Sequence, residues 1–203
     1  VVLTAGPQKI SIESDPLVMG VLNVTPDSFS DGGAYATIEL AVKHARQMQA
    51  QGADIIDIGA ESSRPGAQPI AESEELRRLI PVVEAVREAV SLPISVDTTK
   101  AVVARMAIQA GAVIVNDISA LQGDPLMAGL VAETGVAVVL MHMQGTPQTM
   151  QKSPRYGNVV EEVSVFLQQR AQDAITRGIR PSQSILDPGF GFGKLQEHNL
   201  QML

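Results

Sequence analysis

A chain of 203 residues, 45% hydrophobic and 18% charged, has the length and composition of one globular domain with a sizeable core. Its net charge of −7 argues against a nucleic-acid or anionic-membrane surface as the main partner, and no apolar run approaches the ~20 residues of a membrane span. The absence of Cys excludes disulfides and thiolate chemistry, and aromatics at 3% with no Trp leave a core of Val, Ile, Leu, Met and Ala. The opening 15 residues lack a leader pattern, so a cytoplasmic protein is expected.

In chain order, the first 16 residues suggest a small hairpin around Gly6-Pro7. Six short apolar runs follow, at 17–24, 54–60, 93–98, 113–118, 136–143 and 184–189. They are rich in Val and Ile on both faces, as parallel strands covered on both sides read. Helical patterns alternate with them. Residues 38–51 put Ile38, Val42, Ala45 and Met48 on one face, with Gly52 as the stop. Residues 72–90 repeat the pattern with Leu76, Leu79, Val83, Val86 and Val90. Segments 100–110, 125–134 and 159–177 end at Gly111, Gly135 and Gly178. Strand alternating with helix, with no linker between, predicts one α/β domain over 1–203 with a parallel sheet.

Two α/β architectures compete. A doubly wound sheet announces itself with G-x-G-x-x-G after its first strand, whereas here that strand runs into NVTPDSFSDGG. Most strands end on a polar residue: Asn23, Asp57, Asp97, Asn116, His142 and Asp187. In a barrel those ends converge on one face, where active sites sit, so a TIM (β/α)8 barrel is predicted. Such a barrel typically needs ~250 residues. With six strands read, and a chain that stops in a helical pattern, LQEHNLQML, the last two βα units are expected to be missing from this chain.

Several stretches carry candidate chemistry. A carboxylate at a buried strand end is costly without a partner. Asp97 and Asp187, beside Asn116, therefore suggest a planar ligand with a donor-rich, guanidine-like edge. Helix capping by each Asp is the competing role. Asn116 and Asp117 face opposite ways, so only one can enter the barrel mouth. AESSRPGAQP (60–69) offers Arg64, a fork of donors suited to phosphate or to a solvated loop. DPGFGFGK (187–194) alternates glycines with two Phe, which suits close backbone approach and ring stacking. MHMQGTPQTMQ (141–151) reads as a pocket wall or as core filler. His142 is either structural or pocket-lining, while His44 and His198 are expected on the surface. Asn23 together with phosphate oxygens would suit Mg²⁺.

Taken in order, GVLNVTPDSFSDGG, ESSRPG, SVDT, VNDI, MHMQGTP and DPGFGFGK closely resemble the dihydropteroate synthase family, over about residues 17–203. The resemblance implies a (β/α)8 barrel, usually a cytoplasmic homodimer and a sulfonamide target. It implies condensation of 6-hydroxymethyl-7,8-dihydropterin pyrophosphate with p-aminobenzoate, through an SN1-like pterin cation. The matching pterin positions are Asp97, Asn116 and Asp187, with Met141 and Phe192 on the wall. Asn23 matches the Mg²⁺ ligand. Ser63, Arg64 and Pro65 match the loop for pyrophosphate and aminobenzoate. Phe29 and Asp31 match a closing loop, where Asp31 would stabilise the cation. Ser63 stands where the family usually has Thr, keeping the hydroxyl but losing a methyl. The family's later S-R-K and R-x-H motifs are absent, so a polypeptide ending at Leu203 is expected to be inactive. A pterin-dependent methyltransferase and a non-catalytic pterin-binding homologue stay open at this point. The NVTPDSFSDGG and ESSRPG pair favours the synthase over the former.

Overall fold

The computed structural model describes residues 1–13, 15–24 and 33–203, with side chains in the last stretch from Ile38 onward. Strands β1 (Val2–Ala5) and β2 (Gln8–Ser11) pair antiparallel as the expected hairpin, and Gly6 takes the left-handed φ of +59° that its turn requires. The six apolar runs become β3 (Met19–Asn23), β4 (Ile55–Gly59), β5 (Ile94–Asp97), β6 (Ile114–Asp117), β7 (Ala137–Met141) and β8 (Ser184–Asp187). They form one parallel sheet in the order β3-β4-β5-β6-β7-β8, as successive βα units of a barrel do. Intervening helices are α1 (Gly33–Ala50), α2 (Glu72–Ala89), α3 (Ala101–Ala110), α4 (Met127–Thr134) and α5 (Val159–Thr176), with α6 (Gln196–Met202) at the end of the chain. Helix α1 begins ahead of the pattern read from 38 because Gly33, Tyr35 and Thr37 are poor helix formers that blur its periodicity.

Alternation along each strand sorts the side chains. Leu22, Ile56, Ile58, Val96, Val115 and Leu140 point outward into the main core, where they meet Ala41, Leu79, Val83, Ala104 and Val131 of the helices. Burying each Leu, Ile or Val contributes ~1.5–3 kcal/mol before entropy is counted. The opposite set points inward. Near the start of the strands it is apolar: Ile55, Ile114, Ala137 and Val139 pack beneath Leu3 and Ala5 of the hairpin, which plugs that end. Gly6 N donates to Gly135 O at 2.9 Å, fixing the plug to the end of α4. Inward polarity rises toward the strand ends, and there the candidate residues gather.

Candidate active site

Parallel register assembles the site. Asn23 stands opposite Gly59, Gly59 opposite Asp97, and Asp97 opposite Asn116, a row across four strands. Met141 pairs with Asp187 on the far side. Gly59 makes room in this row, since a Cβ there would lie 3.2 Å from Asp97 Cβ and 3.4 Å from its Oδ2. These ends enclose a cavity of about 510 Å³ lined by Asn23, Ser63, Arg64, Asp97, Asn116, Met141, Asp187 and Phe192, together with Val21, Asp57, Ser62 and Ile118. Pro65 is exposed and stands outside the lining. Phe29 and Asp31 lie outside the described residues. Asp117 faces away from the mouth and accepts from Ser119 N at 2.8 Å, Ser119 Oγ at 2.6 Å and Leu121 N at 2.9 Å. Asn116 is therefore the residue of that pair that enters the mouth.

Asp57, read from the sequence only as a strand end, forms the floor. It is buried, and its Oδ2 accepts from Asn116 Nδ2 at 3.0 Å. Its Oδ1 and the neighbouring Ser95 Oγ have no hydrogen-bond partner among the described residues. Rotation of the Ser95 hydroxyl toward Asp57 would serve both. Burial raises the Asp57 pKa, while Ser95 and Asn116 pull it back. For Asp97, burial and then the like charges of Asp57, Glu75, Asp117 and Glu61 push the carboxyl well above the ordinary carboxylate range. Such a group holds its proton readily while the cavity lacks a donor, and a ligand presenting N–H groups removes that penalty.

Arg64 sits exposed at the mouth with no ion pair among the described residues. Its loop is pinned at several points. Glu61 Oε2 accepts from Ile70 N at 3.2 Å, Gly66 N donates to Pro147 O at 2.9 Å, and Gln148 Nε2 donates to Gln68 Oε1 at 2.9 Å. Lys100, ahead of α3, bridges Glu61 and the fully buried Glu75. Burial alone would lower the Lys100 pKa, but these two carboxylates carry it above the usual value. Sequence reading missed this triad, because its members are distant along the chain and no motif joins them.

The loop after β8 holds the opposite wall. Gly189, Gly191 and Gly193 all have positive φ, and a Cβ on Gly189 would fall 2.1 Å from His142 O. Gly189 N donates to Asp187 Oδ1 at 2.7 Å. Phe192 lines the cavity, whereas Phe190 is exposed. His142 proves structural: it is buried, packs edge-on to Phe166 at 4.9 Å, and meets Lys194 Nζ through Nδ1 at 2.9 Å. The expectation of a surface His198 is corrected. Its ring is buried edge-on to Tyr156 at 4.9 Å, and Nδ1 accepts from Leu195 N at 3.1 Å. The ring closes the first turn of α6, which helical periodicity alone does not reveal. His44 is exposed as expected. Met141, Met143 and Phe166 wall a second hollow of about 300 Å³ beside Ile118, whereas Met150 is buried, so the Met-rich stretch serves both as wall and as filler.

Fold and site define a barrel-type α/β unit whose strand-end carboxylates and amide line one cavity, with an arginine at its rim. The chain belongs to the pterin-binding enzyme family, whose model matches residues 19–203. It is 47% identical to a dihydropteroate synthase of Synechocystis sp., covering 92% of this chain and 64% of that one. It therefore spans about two thirds of that relative's length. Among solved structures, the Yersinia pestis dihydropteroate synthase with a sulfonamide drug complex superimposes with a TM-score of 0.91 at 46% identity, covering 100% of this chain and 73% of that one. The Xanthomonas albilineans dihydropteroate synthase with 4-aminobenzoic acid gives 0.90 at 46% identity, covering 99% and 71%. These relatives set the sheet described above within a (β/α)8 barrel.

Proposed function

We propose that residues 1–203 form one pterin-binding barrel unit of a dihydropteroate synthase. The observation that carries this reading is the convergence of Asp97, Asn116 and Asp187 over the Asp57 floor, in one cavity that opens toward Asn23 and Arg64. The donor edge of 6-hydroxymethyl-7,8-dihydropterin pyrophosphate would lie against Asp97 and Asp187, with Asn116 supplying both a donor and an acceptor. Phe192 and Met141 would cover its faces. The pyrophosphate would then project past Asn23 toward Ser63 and Arg64.

Departure of pyrophosphate needs its developing charge held, and Arg64 with the Ser63 hydroxyl is placed at the rim to do so. The donor set also suits Mg²⁺. Asn23 ends its strand facing the cavity, while no cluster of three His, Asp or Glu among the described residues forms a dedicated metal cage. A single protein oxygen beside phosphate oxygens is the arrangement Mg²⁺ favours, and when bound it would neutralise the pyrophosphate. The remaining methylene cation is delocalised into the pterin. Asp31 and Phe29 are assigned to its stabilisation and to the exclusion of water, by resemblance to the family. The weakly basic amine of p-aminobenzoate, with Pro65 and Ser63 beside its site, then attacks the methylene to form the C–N bond. The strongly acidic anilinium so formed gives its proton to the released pyrophosphate, so no strong general base is required. Sulfonamides, which mimic that amine, are the expected inhibitors. A cytoplasmic homodimer is part of the proposal; no described helix is long and apolar enough to cross a membrane.

The test is pyrophosphate release from the pterin substrate, with and without p-aminobenzoate, beside calorimetric binding of the ring. Release that depends on p-aminobenzoate supports the assignment. A cavity that takes no pterin refutes it.

A further inference from the structure

One buried cation has no part in the chemistry above. Lys194 is 3% exposed and has no carboxylate within ion-pair distance among the described residues. Its Nζ lies 2.9 Å from Gly189 O, 3.0 Å from Phe192 O, 3.2 Å from His142 O and 2.9 Å from His142 Nδ1. An ammonium has three hydrogens, so four acceptors share them and the longest contact is the weakest. Burying a charge among carbonyl dipoles is costly, and a stem ending in water would avoid that cost.

What the contacts join explains the placement. Gly189 and Phe192 belong to a loop whose glycines at positive φ leave it little conformational preference of its own. His142 follows directly on β7, the strand that carries Met141. Tyr156 adds one tie from the far side, its hydroxyl donating to Gly193 O at 2.8 Å. The loop carries Asp187 and Phe192, both of which line the ring cavity. We propose that Lys194 is the positioning residue of the pterin pocket: its buried ammonium clamps the 187–194 loop to the end of β7, and so sets where Asp187 and Phe192 meet the ring. This rests on the pterin reading of the cavity.

The surrounding groups agree with such a clamp. Nδ1 of His142 accepts, so the ring is neutral and carries its proton on Nε2. Burial, then the charge of Lys194, lowers the His142 pKa to about 4, with Glu162 of α5 acting the other way. Burial lowers the Lys194 pKa to about 8, and Asp187 at the end of β8 opposes this. Tyr156, packed on His198 of α6, is raised to about 12 and stays a neutral donor.

The test compares two ligands, pterin and inorganic pyrophosphate, by calorimetry in the parent, Lys194→Met and Lys194→Gln. A positioning role predicts at least tenfold weaker pterin binding in Lys194→Met, an intermediate loss in Lys194→Gln, and pyrophosphate affinity within twofold of the parent in both. Unchanged pterin affinity overturns the proposal, as does an equal loss for both ligands, which marks general damage. A parent that binds pyrophosphate but no pterin overturns the reading of the cavity itself, and this assignment with it. Hydrogen exchange in the parent needs no variant to fold. Corrected for intrinsic rates, the 189–194 amides should open faster than the sheet amides above pH 8, as the ammonium loses its charge. Loop and sheet amides that keep pace through pH 9.5 overturn the proposal.

Discussion

Asp97→Asn should stabilise the ligand-free protein and cripple ring binding at once. The carboxyl sits at the end of β5, raised by burial and then by the charges of Asp57, Glu75, Asp117 and Glu61. A carboxyl whose folded pKa exceeds its ordinary 3.8 favours the fold below that value, and loses the contribution as pH climbs through the folded pKa. At neutral pH the cost of burying this acid, whether ionised or held protonated, therefore works against folding, and a neutral amide of the same shape relieves that. Stabilising single substitutions amount to ~0.5–2 kcal/mol. For a chain of this size ~1 kcal/mol raises Tm by about 2–4 °C. Against a ligand the sign reverses. The carboxylate accepts two N–H bonds, whereas Asn accepts one and turns its NH₂ toward a donor. A charge-assisted hydrogen bond contributes ~1.5–3 kcal/mol. Losing ~2 kcal/mol weakens affinity about 30-fold. Calorimetry with pterin and melting of the free protein from pH 4 to 7.5 read both effects. The Tm advantage of the variant should grow as pH rises. Affinity within threefold of the parent, or a lower Tm at neutral pH, would refute the electrostatic account.

Gly59→Ala keeps a permitted backbone but puts a methyl 3.2 Å from Asp97 Cβ, so pterin affinity should fall about tenfold, ~1.4 kcal/mol, with little change in Tm. Equal affinity would mean Asp97 has room to move. Gly189→Ala combines a left-handed φ of +68° with a Cβ 2.1 Å from His142 O. A cost above ~2 kcal/mol is expected, read as a fall in the urea midpoint with an unchanged slope. For His142, whose pKa is lowered to about 4, the sign runs the other way from Asp97. The unfolded chain takes up the proton first, so stability falls as pH drops from 6.5 and the loss is complete below about 4. His142→Gln should flatten that part of the urea-midpoint profile, and an unaltered slope would argue that another group titrates there.

Strand order and the row Asn23, Asp97 and Asn116 were legible because a parallel sheet ties sequence position to place. Each βα unit brings its strand's C-terminal end to the same rim, so polar strand ends in order become neighbours in space. Alternation also showed that only one of Asn116 and Asp117 could enter the mouth; the bonds of Asp117 to Ser119 and Leu121 decide for Asn116. The buried polar contacts were not legible. Lys100 reaches Glu61 and Glu75 across 39 and 25 residues, and Lys194 reaches back 52 to His142. No period or motif encodes such pairings; loop geometry alone decides them. His198 was misread for the same reason, since its helical pattern carries no sign of the Tyr156 ring packed against it.

Polar groups on the two sides of the cavity have opposite relations to their ties. On the β8 side, Lys194 is satisfied by carbonyls before any ligand arrives, so that wall is set in advance. On the floor, Asp57 is met by Asn116 and the Ser95 hydroxyl, while Asp97 stands under like-charge pressure with no such donor among the described residues. A site made only of satisfied groups would gain little from a ligand, because every new bond would replace an old one. A site made only of unsatisfied carboxylates would rearrange to relieve itself. Rigid walls around an under-satisfied floor meet both conditions: the shape is fixed, and the unmet demand is for the N–H donors a pterin edge supplies. This division predicts that combining Lys194→Met with Asp97→Asn costs less pterin affinity than the sum of the single effects. A loose wall no longer holds the ring where the carboxylate matters. A double-mutant cycle in pterin binding free energy measures the difference, and strict additivity would show that wall and floor act independently.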